Sequence, residues 1–83
     1  MNYQILFNPY AGNGRGEAEA QKLSAHLTDG GLVYHNMTEI KSYASFFETL
    51  SGEDILVIAG GDGTLNRFVN DTDGLTCPVP VWY

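Results

Sequence analysis

The sequence holds a single cysteine, Cys77, so no disulfide can form within the chain. That fits a reducing compartment, and Cys77 itself reads as a small residue at the start of a strand. Positive charge is scarce as well. Arg15, Lys22, Lys41 and Arg67 stand against ten Asp and Glu, for a net charge of −6. This argues against general nucleic-acid binding and against passive adhesion to anionic lipid. No apolar run approaches the ~20 residues needed to span a bilayer. The N-terminus has no basic region followed by a long apolar core, so no signal peptide is read and a cytoplasmic location is expected. The two histidines, His26 and His35, join no carboxylate or thiol at metal-ligand spacing, so no metal site is assigned. No glycine is followed by lysine, which excludes a G-x-x-x-x-G-K phosphate loop. A dinucleotide G-x-G-x-x-G starting at Gly12 would need glycine at position 17, where Glu17 stands.

What remains is an ordinary globular composition, 43% hydrophobic and 12% aromatic over 83 residues. That is one small domain, which buries only about 60–65% of its unfolded surface. Apolar residues 3–7 read as a buried strand stopped at Asn8-Pro9. Residues 8–16 read as a loop with Gly12, Gly14 and Gly16 at every second position. A helix is expected over residues 17–28, with Ala20, Leu23 and Leu27 on its buried face. Residues 32–36 read as a second strand and residues 40–50 as a second helix. Tyr43, Phe46 and Phe47 of that helix are assigned to the core. Residues 55–59 are continuously apolar, as a strand covered on both faces should be. A short helix over 64–70 and a strand over 78–83 complete the chain. The order βαβαβαβ predicts an α/β fold, three layers deep, with a parallel sheet of about four strands and right-handed crossovers. Ending on an apolar strand, the chain is expected to be the amino-terminal piece of a longer protein. It is also expected to self-associate through residues 78–83.

The strongest local signal is Gly60-Gly61-Asp62-Gly63-Thr64, between an apolar strand and a helix. In a parallel sheet such a turn lies at the carboxyl end of a strand, where open α/β folds bind ligands. Glycines let the backbone approach an anion closely, and the helix start offers unpaired N–H groups at the positive end of its dipole. The loop is therefore read as a phosphate-binding loop. Gly60, Gly61 and Gly63 would present N–H groups. Thr64 would add a hydroxyl, or satisfy the backbone at the helix start. Asp62 has two readings: it caps the helix, or it faces a Mg²⁺ ion. Asn8 has two as well: it organises an Asx turn, or it contacts the ligand. Arg15 reads either as a phosphate partner or as a solvated side chain.

Together, Asn8-Pro9-Tyr10-Ala11-Gly12-Asn13-Gly14-Arg15-Gly16 and Gly60-Gly61-Asp62-Gly63-Thr64-Leu65-Asn66 resemble the diacylglycerol kinase catalytic domain family, which includes bacterial lipid kinases and sphingosine kinases. Thr38-Glu39, after the second strand, is similar to that family's intermediate element. The glycine-aspartate-glycine loop is shared with NAD kinases and phosphofructokinases; the Asn-Pro loop and the Leu-Asn after Thr64 are what point to lipid kinases. One position departs from the pattern, because the family commonly has an acidic residue where Arg67 stands. The resemblance implies a Rossmann-like nucleotide-binding half and an ATP- and Mg²⁺-dependent transfer of the γ-phosphoryl group to a lipid alcohol such as diacylglycerol. It implies nucleotide contacts from Asn8, Pro9, Tyr10, Ala11, Gly12, Asn13, Thr38, Gly60, Gly61, Asp62, Gly63, Thr64 and Asn66. It places the catalytic base and the lipid cleft in a second domain, so no catalytic residue is assigned here and these 83 residues alone are expected to be inactive. Peripheral contact with the inner face of a membrane is expected of the full-length protein only. Two other readings stay open at this point: a NAD kinase-like phosphotransferase, and a non-catalytic nucleotide-binding or interaction module.

Overall fold

A computed structural model describes residues 2–83, apart from the side chains of residues 12 and 13. Strand β1 (Asn2–Phe7) leads into a four-residue helix α1 (Ala11–Gly14), and α2 (Gly16–Ser24) follows directly. Strand β2 (Gly31–Asn36) runs into a 3-10 turn (Met37–Glu39) and then α3 (Tyr43–Glu48). Strand β3 (Asp54–Ala59), α4 (Asp62–Asp71) and β4 (Val81–Trp82) complete the chain. The strands form one sheet in the order β2-β1-β3-β4, and every pairing is parallel.

Side chains alternate across a strand, and here both faces of the centre are covered. Tyr3, Ile5 and Phe7 of β1 join Ile55, Val57 and Ala59 of β3 on one face, packed against Ala20 of α2. Leu6, Leu56 and Ile58 point the other way, onto Tyr43 and Phe47 of α3 and Phe68 of α4. The fold is therefore the three-layer α/β/α arrangement with a four-stranded parallel sheet that the element order predicts. The helix changes face where the chain reverses its direction of travel across the sheet. A single crossover hand requires this.

The buried face of α2 differs from the expected one. The expected apolar stripe included Leu23, which is 49% exposed, and the helix ends at Ser24 rather than residue 28. The residues that face the sheet are Gly16, Ala20 and Ser24. Small side chains at i, i+4 and i+8 let the helix lie close to β1. Ser24 satisfies its hydroxyl on the Gln21 carbonyl (3.1 Å) and on the Tyr34 hydroxyl.

The second expected helix is shorter than residues 40–50. It starts at Tyr43 because Ser42 caps it, accepting from the Ser45 N–H at 3.3 Å. The expected strand 78–83 shrinks to Val81–Trp82. The Pro80 carbonyl accepts from Leu56 N–H at 2.9 Å, but Pro80 has no N–H to return, so the ladder cannot extend toward Pro78. Cys77 thus precedes the strand, half-buried against the core. Val81, Trp82 and Tyr83 are exposed, with the Trp82 ring packed 5.7 Å from that of Tyr3.

Tyr43 and Phe47 are core residues, as expected, and pack with Phe68 in a cluster of aromatic rings, with Phe46 half-buried against it. Tyr43 carries one uncompensated feature. Its buried hydroxyl has no hydrogen-bond partner, and burial, with the Asp71 charge adding to it, pushes the phenol up to about 12. An unsatisfied buried hydroxyl costs about 1–3 kcal/mol. Tyr43→Phe is therefore expected to stabilise the fold by about 1 kcal/mol, measured by urea unfolding. A loss of stability would mean that the hydroxyl is satisfied in solution.

His35 supplies a pH dependence. It sits half-buried on the face covered by α3, its ring 4.9 Å from Phe46 and its Nε2 donating to Gln4 Oε1 at 2.7 Å. Burial lowers its pKa below the ordinary 6.5. A depressed histidine leaves stability intact above 6.5 and removes it as pH falls through the lower folded value. The urea midpoint should therefore decline below pH 6.5, and His35→Phe should flatten that decline. An equal slope in the two proteins would refute this. Acid loss of Asp54 lies lower and is separable, because the Ser51 N–H holds its carboxylate below 3.8.

Candidate functional site

Strands β1 and β3 are neighbours, and their registers end together at Phe7 and Ala59. The chain therefore leaves both strands side by side, at Asn8 and at Gly60. From β1 it passes over one face of the sheet to β2, whereas α3 and α4 cover the other face. The two exits flank the point where the strand order reverses, which is where open α/β sheets form their ligand crevice.

Asn8 builds the first wall. Its Oδ1 accepts from Tyr10 N–H at 3.0 Å and its carbonyl accepts from Ala11 N–H at 3.1 Å. This is the Asx turn expected of the Asn-Pro sequence, and it starts a turn of helix where a loop was expected. Gly16 packs directly on the Asn8 carbonyl, with no room for a Cβ.

Gly60 begins the second wall with φ of +145°, a conformation that L side chains rarely adopt. A Cβ there would stand 2.5 Å from Thr64 Oγ1 and 2.9 Å from Thr64 Cβ, so the buried Thr64 side chain fills the space under the glycine. The Gly61 carbonyl accepts from Thr64 N–H at 3.0 Å and from Leu65 N–H at 3.2 Å. The N–H groups of Gly61, Asp62 and Gly63 precede the first intrahelical bond and have no partner within α4. Gly61 and Gly63 line the crevice, which thus lies at the positive end of a ten-residue helix; Asp62 lines neither of its clefts.

Two adjoining clefts occupy the crevice. One of about 370 Å³ is lined by Asn8, Tyr10, Ala11, Gly61, Gly63 and Thr64. The other, of about 310 Å³, lies toward α2 and is lined by Ala11, Gly16, Glu19, Leu23, Gly60 and Gly61. Ala11 and Gly61 belong to both.

Most of the expected contact residues therefore meet in one place. Gly12 and Asn13 were also expected there; apart from their backbone place in α1, they lie outside the described residues. Pro9, half-buried beside Asn8, lines neither cleft. Nor does Thr38, which stands beyond the end of β2 with its hydroxyl on Asn36 Oδ1 at 2.6 Å. Asn66 is exposed on the second turn of α4, outside both clefts. Asp62 does not cap α4, which corrects one of its two readings. Gly61 is the N-cap, and Asp62 is the first helical residue, with its Oδ1 accepting from the Tyr83 hydroxyl at 2.7 Å. Arg67 pairs with Asp71 (3.6 Å) on the exposed side of α4. Arg15 is exposed and lines neither cleft. Sequence reasoning missed Glu19, Leu23 and Tyr83. For Glu19 and Leu23 the available signal was the small-residue stripe of α2, which turns them toward the cleft.

Among the described residues, no group of three or more His, Cys, Asp or Glu could hold a metal by itself. Nor, among the described residues, is any helix long and apolar enough to cross a membrane. Compared with known protein families, residues 2–81 match the diacylglycerol kinase catalytic domain. No curated protein and no solved structure gave a match. The matched region takes in both walls of the crevice, and the chain belongs to the diacylglycerol kinase catalytic domain family.

Proposed function

We propose that this chain is the nucleotide-binding part of an ATP- and Mg²⁺-dependent lipid kinase, which transfers the γ-phosphoryl group to a lipid hydroxyl such as that of diacylglycerol. One observation carries the reading: Gly61 and Gly63, whose N–H groups are unpaired at the start of α4, line a crevice closed on its other side by the Asn8–Ala11 turn. Phosphoryl transfer depends mainly on positioning and charge neutralisation. Charge-assisted hydrogen bonds from backbone N–H groups supply roughly 1.5–3 kcal/mol each. Thr64 holds Gly60 in its conformation and sets the angle at which these donors point. Asn8, Tyr10 and Ala11 form the opposite wall and limit the volume open to water.

Mg²⁺ usually takes one or two carboxylates and completes its octahedron with phosphate oxygens and water. Asp62 fits that pattern. It is an exposed carboxylate beside the phosphate donors, and one of its oxygens accepts no hydrogen bond from a side chain. When bound there with the triphosphate, Mg²⁺ would supply charge neutralisation between phosphate oxygens. Asp62 would hold it, and the glycine N–H groups would orient the phosphates.

The test is an NMR titration of the ¹⁵N-labelled chain with Mg-ATP and Mg-ADP. Saturable shifts are expected at residues 60–64 and 9–13. A well-folded chain with no shifts at millimolar nucleotide would overturn the reading.

A further inference from the structure

Asp62 makes no cap bond to its own helix, α4. Its one polar side-chain contact comes from the end of β4, where the Tyr83 hydroxyl donates to Oδ1 at 2.7 Å. A carboxylate at the first helical position that is free to rotate can fold back over the first-turn N–H groups, which accept such an oxygen readily. It would then occupy the donors that an incoming anion needs.

We propose that Tyr83 is a positioning residue for this site: its hydroxyl holds the Asp62 carboxylate away from the α4 donors and keeps them open to phosphate. The inference rests on the nucleotide reading for its ligand, and its test separates the two.

Binding of metal-free ADP and of Mg-ADP is measured by calorimetry on four chains: wild type, Tyr83→Phe, Asp62→Ala and the double variant. Tyr83→Phe should weaken metal-free ADP about three- to tenfold, the size expected for one exposed hydrogen bond. In the Asp62→Ala background the same change should have no effect, because the competing carboxylate is gone. An equal loss in both backgrounds, or no loss in either, overturns the proposal. Tyrosine rings labelled with ¹³C give a readout that needs no ligand. The Tyr83 ring resonance should shift on Asp62→Ala, because its hydroxyl loses its acceptor. If the wild type binds neither ligand, the nucleotide reading fails; a Tyr83 resonance unmoved by Asp62→Ala overturns the positioning role independently.

Discussion

Gly16→Ala is expected to lower the thermal unfolding midpoint by roughly 12–24 °C, from a destabilisation of about 3 kcal/mol at 4–8 °C per kcal/mol. The cause is backbone on backbone. The new Cβ would collide with the Asn8 carbonyl oxygen, stand 2.6 Å from the Asn8 carbonyl carbon and 3.1 Å from Pro9 Cα. No rotamer change relieves that, so α2 must move off β1 or the Asn8 turn must open. A domain of this size has only about 4–12 kcal/mol of stability to lose. Gly52→Ala is the control. A Cβ there would meet nothing within 4 Å, and the midpoint should barely change. Calorimetric unfolding of the two variants decides the matter. A Gly16→Ala midpoint within 3 °C of wild type would mean that the helix is not seated on the strand exit.

Gly63→Ala should separate binding from folding. Its Cβ would meet nothing within 4 Å, and alanine is favoured over glycine in a helix by up to about 1 kcal/mol. Stability should hold or rise. The same methyl group would stand beside the donors that face the crevice, and displacing a phosphate from one charge-assisted bond costs about tenfold or more in affinity. Gly60→Ala should lose both properties, because it combines a φ of +145° with the contacts to Thr64. Mg-ADP affinity and urea midpoints measured on both variants give the comparison. If Gly63→Ala bound Mg-ADP as tightly as wild type, the α4 start would not be the phosphate site.

The parts of this fold that were legible are those governed by burial. Residues 3–7, with Ile5, Leu6 and Phe7, and the continuously apolar residues 55–59 read as buried strands, and they form the two central strands of the sheet. The strand-glycine-helix context placed the crevice for the same reason. What escaped was set by single close approaches. A glycine-rich stretch reads as a loop from propensity, yet Ala11–Gly14 takes a turn of helix because Asn8 supplies acceptors for the Tyr10 and Ala11 N–H groups at its start. Apolarity selected Leu23 as a buried residue. Proximity selected Gly16, Ala20 and Ser24 instead, and no apolar period reveals a stripe of small side chains. The reach of Tyr83 to Asp62 depends on where β4 docks, which is tertiary information.

The shortness of β4 also gives the protein a local reporter. In a parallel ladder, successive residues of a central strand send their N–H groups to alternate neighbours. Leu56 N–H goes to Pro80 on the β4 side, so those of Ile55 and Val57 go toward β1. A two-residue edge strand should open far more often than the centre of the sheet. The deuterium exchange of the Leu56 amide, together with that of Ile58 on the same side, then counts the detachments of β4, while Ile55 and Val57 stay protected until the whole sheet unfolds.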